Sequence, residues 1–229
     1  MGKVRSPFLV VNPKSYLYGK KSLELAQAVD KIAQESGLQI FFTCPFADIR
    51  YVRENTGCIV VTAQHMESLK PGRGMGHILP ESLKDAGAGA VFLNHAENQL
   101  TLSELSKTID RAKKLSMITI ACADSLSEAL SIARFSPDIL LCEPTDLIGT
   151  GQVADNSYIL ETTSQIKAVD PDIAVMVASG ITTAEDVYNV IRLGADGTGG
   201  TNGILKAPDP VVRVQEMADA MLKAYKEKA

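Results

Sequence analysis

Short runs of β-branched and aromatic residues alternate with longer segments of helical period along the chain. Phe8 to Asn12 (FLVVN) reads as a first strand, and Leu23, Ala26, Val29, Ile32 and Ala33 put one apolar face on a helix from about Ser22 to Ser36 that Gly37 ends. The same pairing predicts strands at Gln39 to Thr43, Cys58 to Ala63, Ala90 to Asn94, Met117 to Ala121, Asp138 to Cys142, Ile173 to Ala178 and, weakly, Ala195 to Gly199. Helical patterns follow them at about Phe46 to Glu54, Glu81 to Ala86, Thr101 to Lys114, Ser125 to Phe135, Ser157 to Val169, Thr183 to Leu193 and Asp209 to Lys226. The rhythm breaks once, where His65 to Pro80 carries Gly72, Gly74 and Gly76 and reads as a long excursion loop.

Eight such pairs in 229 residues average about 29 residues each, close to the roughly 30 that one βαβ element needs, so residues 1–229 are expected to form a single domain. Runs such as IVVTA and DILLC have no polar alternation, which suits parallel strands buried on both faces. Eight of them closing on one another give an α/β fold, the (β/α)8 barrel. An open doubly wound sheet would carry its phosphate glycines after the first strand. The first turn here is Asn12-Pro13-Lys14, and the glycine clusters come later.

Composition narrows the function classes. With 45% hydrophobic and 22% charged residues the chain can fill a sizeable core. Its 23 Lys and Arg against 27 Asp and Glu give −4, with no dense basic run, so nucleic acid is a poor partner. No apolar run reaches the roughly 18 residues of a membrane span and no signal peptide is evident, which together with unpaired cysteine spacing makes the cytoplasm the expected compartment. Cys44, Cys58, Cys122 and Cys142 are read as small core residues. His65 and His77 have no second ligand at helical spacing, so they are read as structural, and no metal or cofactor is expected.

In a (β/α)8 barrel the groups at the C-terminal ends of the strands converge on one mouth. Asn12 and Lys14 follow strand one, His95 follows strand four and Glu143 follows strand six. Ser179-Gly180 after strand seven and Gly199 to Gly203 after strand eight are small and rich in donors, at the place where such barrels habitually bind phosphate. Taken singly, a lysine after a strand is ordinarily a solvated charge, a lone histidine a satisfied polar group, and a glutamate before a helix a cap. Independent accidents would scatter over both rims, whereas these fall on one.

Asn12-Pro13-Lys14, Leu93-Asn94-His95-Ala96-Glu97 and Glu143-Pro144-x-Asp146-Leu147-Ile148-Gly149-Thr150-Gly151, in that order, resemble the triosephosphate isomerase family over nearly the whole chain. Ala63-Gln64-His65 and Gly76-His77-Ile78-Leu79-Pro80-Glu81, with the short length, are similar to its archaeal-type branch. The resemblance implies isomerisation of dihydroxyacetone phosphate and glyceraldehyde 3-phosphate, as in glycolysis and gluconeogenesis. Glu143 would be the base, His95 a neutral electrophile, Lys14 a fixed cation and Asn12 an orienting group, with a lid at 144–151. Ile148, Gly149, Gly180, Thr201 and Asn202 match the family's phosphate-contacting positions, and the branch implies a homo-oligomer, a tetramer or dimer, with the glycine loop in the contact. Pro13, Met75, Ala96 and Thr198 to Asn202 depart from the family pattern, which keeps two other readings open: an isomerase of a longer ketose phosphate such as a tetrulose phosphate, and a sugar-phosphate-binding barrel without catalysis.

Overall fold

The computed structural model describes residues 3–143, 155–178 and 180–228. Strands β1 (Phe8–Val11), β2 (Gln39–Cys44), β3 (Val60–Ala63), β4 (Ala90–Leu93), β5 (Ile118–Ala123), β6 (Ile139–Cys142), β7 (Ala174–Val177) and β8 (Gly197–Gly200) pair in parallel and in sequence order to close a barrel. Each lies within two residues of its expected position. The helices α1 (Gly19–Ser36), α2 (Ile49–Glu54), α3 (Pro80–Asp85), α4 (Leu102–Lys114), α5 (Leu126–Ala133), α6 (Asn156–Val169), α7 (Ala184–Arg192) and α9 (Pro210–Lys228) pack outside it, and a short α8 (Asn202–Leu205) follows β8.

Strand periodicity sorts the core into two layers. Phe8, Val10, Phe41, Phe92, Ile120, Leu141 and Met176 form one buried cluster, the barrel interior, while Leu9, Val11, Ile40, Phe42 and Val175 pack in a second cluster with the helices. Phe8 meets Phe41 edge to face at 5.5 Å. That ring explains the weak β-propensity of β8: it pairs in register with β1, Phe8 opposite Gly197, and a Cβ on Gly197 would overlap the Phe8 ring. The eighth strand is rich in glycine because the first strand supplies its share of the filling.

Three expectations need correction. Helix α1 starts at Gly19, ahead of Ser22, because Gly19 takes a left-handed φ of 56° and its N–H donates to Asp48 Oδ2 at 2.8 Å, a cap from a distant turn. Helix α8 was not expected, since four residues are too few to show a period. Cys58 is exposed and precedes β3; its N–H, with those of Gly57 and Ile59, donates to the Asp30 carboxylate. Cys44, Cys122 and Cys142 are buried.

Candidate active site

The end of β1 is held by a hub at Asn12. Its N–H donates to Gly200 O on β8, its carbonyl accepts from Thr201 Oγ1 at 2.7 Å, and its side-chain Oδ1 accepts from the Thr43 hydroxyl on β2 and from the Lys14 N–H at 3.0 Å. Lys14 has a φ of 48°, a left-handed conformation that costs a non-glycine residue about 1–2 kcal/mol and that these bonds maintain. Gln64 adds a bond from its Nε2 to Lys14 O at 2.8 Å. The ammonium thus held lies 2.6 Å from Glu97 Oε1.

His95 is held in a similar way. Asn94, at a φ of 59°, donates from Nδ2 to Cys122 O and to Glu128 Oε1, both at 3.0 Å, and accepts the Leu100 N–H at Oδ1. Glu128 Oε2 accepts from Asp124 N–H at 2.8 Å, which ties α5 to the ends of β4 and β5. The backbone N–H of Glu97 donates to His95 Nδ1 at 3.1 Å. A nitrogen that accepts a hydrogen bond carries no proton, so the ring is neutral with its hydrogen on Nε2. Burial, and after it the Lys14 charge, pull the imidazole pKa below its ordinary value, with Glu97 opposing.

Glu143 follows β6, its N–H donating to Ala123 O at 3.0 Å. Burial raises its carboxyl pKa above the usual carboxylate value, with the Lys14 charge partly offsetting this. Glu97 moves the other way, held down first by its hydrogen bond from Lys14. One mouth therefore offers a carboxylate disposed to accept a proton, a neutral imidazole able to donate a hydrogen bond, and a cation.

A cavity of about 490 Å³ brings the candidates together: Asn12, Lys14, His95, Glu143, Gly180, Thr201 and Asn202 all line it. The amides at the start of α8 belong to the set a helix leaves without intrahelical partners, and they lie at its wall with Asn202 and Gly203. Ile148, Gly149, Ser179 and the expected lid at 144–151 lie outside the described residues. A second hollow of about 190 Å³ opens on the other side of Lys14 and His95, lined also by Gln64, His65 and Glu97. A space of only about 10 Å³, room for about one water, is lined by Asn94, Ala96, Cys122, Glu128 and Glu143.

Sequence reasoning passed over Glu97, Thr43 and Glu128. Glu97 stood in the quoted motif two residues after His95, where its N–H can turn back to the ring, but a carboxylate beside a histidine is common. Thr43 and Glu128 reach the site from other strands and helices, and nothing local marks them. His65 is buried near Glu67 and Glu104, and His77 Nδ1 lies 3.3 Å from Glu67 Oε1, at the base of the glycine loop. Glu67 also accepts the Ile78 N–H, and Glu104 that of Ser68 at 3.0 Å, so carboxylates pin both ends of the loop while Met75 at its tip is fully exposed.

The model of the triosephosphate isomerase family matches residues 7–218. The chain belongs to the triosephosphate isomerase family. Among its relatives, the triosephosphate isomerase of Sulfolobus acidocaldarius is 34% identical over 98% of this chain and 99% of its own. That of Methanocaldococcus jannaschii is 34% identical over 91% of this chain and 97% of its own, and that of Sulfurisphaera tokodaii 34% over 98% and 100%. The likeness to archaeal triosephosphate isomerases thus runs from end to end, and the family match favours the triose reading over the longer-ketose and non-catalytic ones. Within this member of the triosephosphate isomerase family no described helix is long and apolar enough to cross a membrane.

Proposed function

We propose that the protein interconverts dihydroxyacetone phosphate and D-glyceraldehyde 3-phosphate through an enediolate. Glu143 removes the proton α to the carbonyl, and its burial matches the carboxyl to this task because a raised pKa makes a stronger base. His95 donates its Nε2 hydrogen to the carbonyl oxygen as a neutral electrophile and passes a proton between the two oxygens. This pairing of glutamate base and neutral imidazole is the family's known division of labour, carried over to these positions. Lys14 supplies fixed positive charge to the enediolate and the phosphate, and Asn12 orients the substrate. Gly180, Thr201 and Asn202, with Ile148 and Gly149 of the lid, cradle the phosphate, and the lid shields the enediolate from losing phosphate before reprotonation.

The observation that carries this reading is the Glu97 N–H on His95 Nδ1, which leaves a neutral donor facing the cavity that Glu143 also lines. Replacing Glu143 by Gln tests it. An amide cannot accept the α proton, so turnover should fall about a thousandfold with substrate binding changed little. Activity within tenfold of the parent would remove Glu143 from the mechanism.

The same reading extends to assembly and location. Residues 1–229 act as one barrel unit in the cytoplasm, assembled as a homo-oligomer, a tetramer or dimer. The pinned glycine loop with its exposed Met75 supports this, because a second copy could seat that thioether in the hollow beside Lys14 and His95.

A further inference from the structure

The main cavity continues past the phosphate cradle. Lys206, Ala207, Pro208 and Arg213, from the segment after α8 and the first turn of α9, line its far side together with Thr183 and with Thr182, whose carbonyl meets Arg213. The whole space is about 490 Å³, whereas a triose phosphate has only about ten non-hydrogen atoms. The charge at this far side is one-signed: among the described lining residues it contains two cations and no carboxylate.

The two neighbouring aspartates are engaged elsewhere. Asp186 Oδ2 accepts from the Thr182 and Thr183 N–H groups at 2.9 and 2.7 Å, and Asp209 Oδ1 from those of Val211 and Val212 at 2.8 and 3.1 Å. Arg213 is about three-quarters buried; its Nη1 donates to Thr182 O, and its Nε lies 3.2 Å from Glu216 Oε2. Thr182 O pins the guanidinium against the rim beyond β7, and Glu216 offsets only its charge. Among the described residues Lys206 has no ion-pair partner, and no protein acceptor takes the Arg213 Nη2 hydrogens. A planar guanidinium fork held in place and an exposed ammonium lining the same cavity are an arrangement suited to a phosphoryl group.

We propose that Lys206 and Arg213 form a second anion subsite next to the cradle, so that the cavity takes a ligand with two linked phosphoryl groups, of the diphosphate class, in competition with the triose phosphate. One phosphoryl group occupies the cradle at Gly180 and Asn202, and the other bridges the two cations. The inference rests on the cradle assigned under the proposed function.

Inorganic pyrophosphate and orthophosphate are the probes, compared by calorimetric titration and as inhibitors of isomerisation in magnesium-free buffer of constant ionic strength. The parent should bind pyrophosphate about tenfold or more tightly than orthophosphate, the gain expected of one added charge-assisted interaction. Lys206→Met should remove most of that preference while leaving orthophosphate affinity and kcat/KM for the triose unchanged. Arg213→Lys, which keeps the charge and loses the fork, should remove part of it. Equal affinities for the two anions in the parent would overturn the proposal. So would a rise in KM for the triose in Lys206→Met, which would assign the cation to the substrate's own phosphate. If the parent shows the preference but no isomerase turnover, the subsite stands and the catalytic reading falls; turnover without the preference does the reverse.

Discussion

Replacing Asn12 by Ala should unlock the first-strand end of the site, and the size of the effect can be worked from its partners. Oδ1 accepts from the Lys14 N–H at 3.0 Å and from the hydroxyl of Thr43, which is fully buried. Losing the first bond costs about 1 kcal/mol, and stranding a buried hydroxyl about 1–3 kcal/mol, for a total of roughly 2–4 kcal/mol. In a chain of this size that lowers Tm by roughly 5–15 °C. The left-handed turn at Lys14 also loses its support, and a displacement of about 1 Å in its ammonium would cost about a hundredfold in kcat/KM. The assay is a thermal melt and steady-state turnover on Asn12→Ala, Thr43→Val and the pair. Thr43→Val alone should cost about 1 kcal/mol, but in the Asn12→Ala background it removes a stranded hydroxyl and should be neutral or stabilising. Stabilities that add to within about 0.5 kcal/mol would refute the hub.

The raised Glu143 pKa has a definite sign. The folded state binds this proton above the ordinary value of 4.5, so burying the charged carboxylate costs stability that disappears as pH falls below both values. Glu143→Gln should therefore melt higher than the parent at pH 7 and level with it near pH 4; a variant less stable at pH 7 would contradict the burial argument. With the His95 pKa lowered, kcat/KM should hold steady as pH falls through 6.5 and decline only below it, whereas a rate that climbs on acidification there would make imidazolium the acid. Glu128→Gln can keep only one of the bonds to Asn94 and Asp124, so kcat should drop about tenfold with KM steady; an unchanged kcat would reduce the network to a structural role. Met75→Glu should lower the mass seen by light scattering, and an unaltered assembly would exclude the loop tip from the contact.

The barrel was legible because its strands are buried on both faces and therefore show as unbroken apolar runs, even at four residues each. The chemistry was legible because barrel geometry sends every strand end to one rim, so Lys14, His95 and Glu143 could be grouped across more than a hundred residues. What escaped depends on long-range pairing. The cap on α1 comes from Asp48, the clasp on Asn12 from Thr43, and the brace on Asn94 from Glu128, each in a different element. Glu97 was missed for another reason, since part of its function is carried by a backbone N–H that its residue type does not reveal.

The packing of Phe8 against Gly197 limits how this barrel can change over generations. A single step from Phe8 to a smaller residue empties the floor of the barrel, at about 3–5 kcal/mol for a truncation to Ala. A single step from Gly197 to any side chain drives a Cβ into the ring before that ring can leave. Each change is tolerable only after the other, and the roughly 5–15 kcal/mol by which such domains are stable leaves little room for either intermediate. Two residues nearly the whole chain apart thus behave as one inherited unit, and the route to a barrel with an ordinary apolar eighth strand passes through a paired substitution.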